Sequence, residues 1–235
     1  MDNLLIEFLL RWVHFLAGIT WIGMLYYFNF VQTPFFKSCD GDVRSSMIRG
    51  LVPNALWWFR WGAMFTFLSG LAIVTMKAHV FKIPWDNTYM TIILTGGLMG
   101  TLMWFNVWFI IWPAQKVVIA SAEQVASGGQ AIADAASRGA RAGMASRTNT
   151  LFSIPMLFCM GAANHYPLVA AGAGENPNLM MYWILTFVVV GVAEITGAFS
   201  GAGKPFQKHL ASVKGVITAG FVLTGVMVAV MKFVI

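Results

Sequence analysis

Charge is what this sequence has least of. Only 10% of its 235 residues are Asp, Glu, Lys or Arg, against roughly a quarter in an average soluble domain. Mean hydropathy is +0.72, which excludes a water-soluble globular fold. Cysteine is nearly absent: Cys39 and Cys159 stand far apart with no CxxC spacing, so they read as two free thiols rather than a disulfide or a thiolate metal site. No HxH, HxxE or HxxxH cluster gathers three or four ligands, and a metal site without porphyrin has no support. No Pro-rich or Ser-rich linker, internal repeat or second domain interrupts the chain. The formal net charge of +6 comes with no basic recognition module. It belongs to loops at a membrane surface, and nucleic acid is excluded as a partner.

What is present in abundance is apolar: 58% hydrophobic and 14% aromatic residues. The chain therefore reads as an all-α integral membrane protein whose surroundings are the lipid bilayer. A crossing needs roughly 20 apolar residues. Six segments qualify, at about 4–31, 54–77, 88–113, 149–171, 179–199 and 212–234, giving a single domain over 1–235, a bundle of about six transmembrane helices. Asp2 and Glu7 replace the basic start of a signal peptide, so the first span is expected to be retained. Residues 114–148 are alanine-rich and read as a cytoplasmic helical loop broken near Gly128 and Gly129.

Lys and Arg set the expected orientation. Lys37, Arg44, Arg49, Arg60, Lys116, Arg138, Arg141, Arg147, Lys204, Lys208 and Lys214 fall on one side, and Arg11, Lys77, Lys82 and Lys232 on the other. The larger group marks the cytoplasm. Both termini are then periplasmic, in a bacterial inner membrane.

Four histidines can be placed by depth. His14, in RWVHFLAGITWIG, and His165, in LFCMGAANH, approach the same leaflet from antiparallel spans. His79 sits at the periplasmic mouth of the second span, and His209 in a solvated basic loop. One turn deeper than His14 is Gly18, and one turn deeper than His165 is Gly161, so each imidazole has a missing side chain beneath it. Two neutral imidazoles, a slot of small residues and apolar walls are what a non-covalent haem b needs between two helices. His14 and His165 would be its iron ligands, with His79 the reserve. Trp21, Phe15, Phe158 and Met156 would supply walls, and Arg11 would pair with a propionate. The plainer alternative stays open: a histidine hydrogen-bonded to a neighbouring helix and glycines that pack helices.

Other polar residues pose the same choice. Trp104, Trp108 and Trp112 lie four apart on one face with Asn106 on another, as interfacial packing or as an aromatic wall. Arg60 is expected to snorkel to the cytoplasmic surface, with Glu194 near the same side. Spacing leaves open a buried pair between them.

Four strings, LLRWVHFLAGITWIGMLYYFNFVQTPFF, LVPNALWWFRWGAMFTFLSGL, GGLMGTLMWFNVWFIIWPAQKVVI and ASRTNTLFSIPMLFCMGAANHYP, resemble the urate oxidase N-terminal family, the membrane domain of bacterial urate hydroxylases. The resemblance covers most of 5–170 and weakens afterwards. The opening H...G..WIG is also similar, more distantly, to membrane protoporphyrinogen oxidases and copper-resistance membrane proteins. It implies a membrane core with histidine-ligated haem b. Full-length members carry a C-terminal cytochrome c domain, whereas these 235 residues contain no CxxCH, so a separate periplasmic cytochrome c or membrane redox complex is the expected electron partner.

Three functions follow as expectations. The first is a b-type cytochrome moving electrons between a small reductant or quinol and that partner. The second is an oxidoreductase on urate, another purine or a porphyrin. The third is a non-catalytic subunit of a larger complex, in which Gly97 to Gly100 and Gly191 to Gly197 serve helix association, a homo-oligomer included.

Overall fold

In the computed structural model, residues 2–165 and 178–234 are described. Among them the fold is helical throughout, with no strand. Helix α1 (Asn3–Tyr26) passes through a π-helical turn, π1 (Tyr27–Gln32), into α2 (Thr33–Ser38). Then follow α3 (Gly41–His79), α4 (Thr88–Phe105), π2 (Asn106–Ile111), α5 (Trp112–Ala126), α6 (Ala135–His165), α7 (Leu179–Glu194), π3 (Ile195–Phe199), a 3-10 turn (Pro205–Leu210) and α8 (Val213–Val234).

Helix starts follow from capping. The Asp2 carboxylate accepts from the Leu4 amide at 3.1 Å, and the Asn87 carbonyl from the Tyr89 amide at 2.9 Å, each satisfying a backbone donor that a first turn leaves free. Gly128, at φ +85°, ends α5 where side chains rarely follow. The alanine-rich loop is thus two helical extensions, the end of α5 and the start of α6, broken where the sequence places the break.

Five helical stretches are long and apolar enough to cross a membrane: Asn3–Ser38, Gly41–His79, Thr88–Ala126, Leu179–Phe199 and Val213–Val234. The fourth expected span, 149–171, begins within α6, which is not among these five and opens on the polar run AASRGARAGMASRTNT. Its residues 166–171 lie outside the described residues. Outward faces are apolar, with Leu4, Phe8, Phe15 and Ile19 on α1 and Met180, Phe187, Val188 and Val192 on α7 all exposed. The interior instead holds Thr95, Asn106, Asn149, Ser153 and Glu194. Polar groups inside and apolar groups outside suit a bilayer, where interhelical hydrogen bonds hold helices together.

The principal seam runs between α1 and α3, which are antiparallel. Every seventh residue from α1 into the first turn of π1 meets α3: Glu7 pairs with Lys77, His14 with Ser69, Trp21 lies against Gly62, and Phe28 of π1 meets Phe59 edge to face. That heptad spacing keeps one stripe facing one partner. Helix α6 is the hub of the remainder. It runs antiparallel to α1, through Tyr26 with Ser153 and Asn29 with Ser146, and antiparallel to α4, through Gly96 beside Cys159 and Asn149 bonded to Met103. Both cysteines are free, with Cys159 buried.

Candidate functional site

His14 occupies the α1–α3 seam. Its Nδ1 lies 3.0 Å from the Ser69 hydroxyl oxygen, and a Cβ placed on Gly70 would come within 3.1 Å of the ring. Gly70 therefore admits the imidazole, a role the sequence signalled only through the heptad of Glu7, His14, Trp21 and Phe28. With Nδ1 engaged by Ser69, Nε2 is the nitrogen left for another partner.

His165 is exposed at the end of α6. Twelve residues back from Tyr26 is His14, and twelve on from its partner Ser153 is His165, so the two histidines stand equally far in sequence from one contact between antiparallel helices. Their immediate neighbours differ: His14 docks on α3 rather than against His165. A Cβ on Gly18 would approach only Thr66, at 4.0 Å, and one on Gly161 would meet nothing within 4 Å. Both positions thus leave room. Of the expected walls, Trp21 and Met156 are buried, while Phe15 is 69% exposed and faces outward. His79 ends α3 edge to face with Trp85, centroids 6.2 Å apart.

Arg11 does not stand free. Its Nε donates to Glu7 at 2.7 Å and its terminal nitrogen reaches the Tyr89 hydroxyl at 3.5 Å. Lys77 Nζ lies 2.9 Å from the same Glu7 oxygen. One carboxylate, 7% exposed, is therefore shared by two cations, and the cluster keeps an excess positive charge. Sequence reading noticed Glu7 only as an acidic start. Removing one partner of a buried ion pair leaves uncompensated charge. Glu7→Gln is accordingly expected to destabilise the fold by about 1–3 kcal/mol after discounting for the partial exposure of Arg11. Adding Lys77→Met should restore most of that loss, read as the thermal unfolding midpoint in detergent.

The pair left open between Arg60 and Glu194 does not form. The Arg60 guanidinium carbon lies 4.0 Å from the Trp112 ring centroid, 5.1 Å from Trp108 and 5.7 Å from Trp61. Aromatic faces take the place of a carboxylate. Trp108 is edge to face with Trp61, and Trp104 stacks on Phe67 at 4.3 Å, so the three tryptophans share the side toward α3 as their spacing implied. Asn106 points elsewhere. Its Nδ2 donates to Asn149 Oδ1 at 2.9 Å and to Glu194 Oε2 at 3.3 Å. Asn149 in turn donates to the Met103 carbonyl at 2.9 Å. Three helices meet in this buried polar knot, which the sequence did not reveal because its members lie up to 88 residues apart.

A cavity of ≈ 110 Å³ opens at the Lys/Arg-rich end. Asn29, Gln32, Gln115, Ser146 and Arg147 supply its polar groups, and Phe28 and Phe59 its aromatic ones. Among the described residues no three His, Cys, Asp or Glu side chains are grouped as a metal would need.

No curated protein and no solved structure matches the chain. Residues 77–234 match the urate oxidase N-terminal family. That stretch includes the last spans, where the resemblance read from the sequence fades, and starts beyond His14 and Arg11. Asn106, Asn149, His165 and Glu194 all fall within it. With that match covering well over half of its length, the chain belongs to the urate oxidase N-terminal family.

Proposed function

We propose that this chain is a membrane-embedded b-type haem protein that passes electrons between a small reductant or quinol and a periplasmic cytochrome c or partner complex. In this reading both termini lie on the periplasmic face of a bacterial inner membrane. The observation that carries it is the Ser69 hydroxyl 3.0 Å from His14 Nδ1. Such a contact fixes the ring and reserves Nε2, as an outer partner does for a ligating histidine. His165, equally far along α6 from the Tyr26–Ser153 contact, would be the second ligand. Gly18 and Gly161 would leave the ring its room, and Lys77 with Arg11, sharing Glu7, would face the propionates with net positive charge. Bound there, haem would supply a one-electron carrier within the bilayer.

The test is an optical spectrum of the purified protein, oxidised and then dithionite-reduced, with a pyridine haemochrome assay. A stoichiometric b-type spectrum is expected. A folded, colourless protein overturns the reading and favours a non-catalytic subunit.

A second reading, an oxidoreductase acting on urate or another purine, has one observation in its favour. The cavity at Gln32 and Arg147 sets side-chain amides and a guanidinium beside aromatic rings, suited to a flat, hydrogen-bonding anion. Reduction of the chromophore by added urate, lost in Gln32→Leu, would establish it. Reduction unaffected by Gln32→Leu would remove the cavity from that role.

A further inference from the structure

Glu194 is a carboxyl with almost nothing to balance a charge. It is 3% exposed at the junction of α7 and π3, and no ion pair among the described residues includes it. Among the described residues its one polar contact is the Asn106 amide on Oε2 at 3.3 Å. Oε1 is buried without a partner, and so is Asn106 Oδ1.

The orientation of Asn106 is settled by its neighbours. Asn149 Nδ2 is committed to the Met103 carbonyl, so Asn149 Oδ1 faces Asn106, and Asn106 must present its NH2 group there. Its carbonyl oxygen is left as an acceptor with nothing to accept. Two orphan acceptors in one knot call for a donor, and the nearest chemistry that supplies one is a proton on the carboxyl.

The elements packed around Glu194 carry few ionisable groups, and none of them forms an ion pair with it among the described residues. The 3-10 turn, held to π3 by Gln207 bonding the Thr196 carbonyl, brings Lys208 and His209, with Lys204 just before it. Between Leu179 and Phe199 the titratable side chains are Tyr182 and Glu194 itself, and the Tyr182 hydroxyl lies 2.7 Å from that of Thr95. On α6 the nearest are Arg147, whose guanidinium donates to the Leu210 carbonyl at 2.6 Å, and Cys159. From Thr88 to Gln115 there is Tyr89 alone, at the start of α4 and in contact with Arg11, and α8 has only Lys214 and Lys232 near its ends.

We propose that Glu194 is a reversible proton-binding site inside the bundle, with Asn106 the positioning residue that serves both of its states. The carboxylate accepts from Asn106 Nδ2; the acid donates toward the unused Asn106 carbonyl. A neutral amide beside a buried carboxyl is suited to this because it carries donor and acceptor on one rigid plane. Intramembrane carboxyls of this kind are costly, and they mark proton relays and ion paths. Three π turns occur among the described residues, and two of them, π2 and π3, adjoin this knot. Such turns are frequent at functional positions. The site is independent of haem, and the following test does not need a chromophore.

The test is infrared difference spectroscopy of the full chain in detergent, titrated from about pH 5 to about pH 10, a range that begins above the ordinary carboxyl values of about 4 so that exposed carboxylates stay ionised throughout. Wild-type protein is expected to show a carboxylic acid C=O band at the acid end that converts to carboxylate bands on titration. Glu194→Gln should abolish the band. Asn106→Leu, which removes the only donor to the carboxylate among the described residues, should keep the acid band and stop its conversion across the range. Sodium at fixed pH should not displace the proton. A band that never titrates in wild type makes Glu194 a permanently neutral structural acid. Absence of the band makes it a permanent carboxylate. Either outcome overturns the proposal, as does loss of the band on adding sodium, which would mean a cation site. Should Glu194→Gln fail to fold, the wild-type titration together with Asn106→Leu decides.

Discussion

Gly62→Leu is expected to part α1 from α3 and leave the protein without a cooperative unfolding transition in detergent. A Cβ on Gly62 would already lie 3.0 Å from the Trp21 backbone nitrogen, 3.3 Å from its Cα and 3.4 Å from the Ala17 carbonyl oxygen. These are backbone atoms of a facing helix, which cannot swing aside as a side chain does. Alanine there requires a shift of a few tenths of an ångström and should cost about 1–3 kcal/mol, the usual range for overpacking. Leucine adds three more carbons to the same gap and forces the helices apart. The seam that separates also holds Trp21, 1% exposed, and the His14–Ser69 contact above it. Gly50→Ala is the control: nothing lies within 4 Å of a Cβ there, and in a helix interior alanine should stabilise by roughly 0.5–1 kcal/mol. Reactivity of buried Cys159 toward a thiol dye during heating, in a Cys39→Ser background, reads all three variants. A normal melting curve for Gly62→Leu would mean that α1 and α3 do not pack this closely.

Depth along a span was legible in the sequence because it is linear in residue number. Apolar run lengths place His14 and His165 in one leaflet, and counted from the Tyr26–Ser153 contact each stands twelve residues along its own helix. The break at Gly128 and Gly129 was legible because few residues reach positive φ. Which neighbour each polar side chain meets was not legible, since this depends on rotation about the helix axis and on partners far away in the chain. Glu194 was read as a possible partner of Arg60 on depth alone; it turns instead to Asn106, while Arg60 is surrounded by Trp61, Trp108 and Trp112. The π turns add a further obstacle. Each carries one extra residue, so everything beyond it rotates by about 100° relative to a regular helix. Faces drawn with a single period through π1 or π3 therefore do not carry over to the residues beyond, and Gln32 ends one such turn while Glu194 directly precedes another. Arg11 shows a third kind of miss. It was expected to pair with a propionate, yet its partner here is Glu7, four residues earlier on the same face, which the sequence shows only as a departure from a signal peptide.

His14→Ala is expected to abolish the b-type spectrum of the proposed haem protein, or convert it to that of a site with one ligand, whereas Ser69→Ala should keep the spectrum and weaken retention of the cofactor. The difference follows from where each atom acts. His14 would bond the iron through Nε2, and its loss removes a ligand for which the rest of the seam has no substitute. Ser69 touches only Nδ1, at 3.0 Å, so it fixes tautomer and ring plane. Loss of such an outer contact at a metal-ligating histidine typically costs 10–100-fold in affinity. Ser69→Thr keeps the hydroxyl and should restore most of that loss, which a purely structural role in helix packing would not require. His165→Ala should match His14→Ala, and His209→Ala should leave the spectrum unchanged, since His209 lies on the 3-10 turn at the opposite, Lys/Arg-rich end. His79→Ala separates the remaining possibilities: loss of the spectrum there, with His165→Ala silent, would move the second ligand from α6 to the end of α3. Haemochrome stoichiometry and the midpoint potential, measured on variants whose melting curves match wild type, distinguish a lost ligand from a lost fold. If His14→Ala retains a full spectrum, the imidazole is a packing residue of the α1–α3 seam and its bond to Ser69 serves the two helices alone.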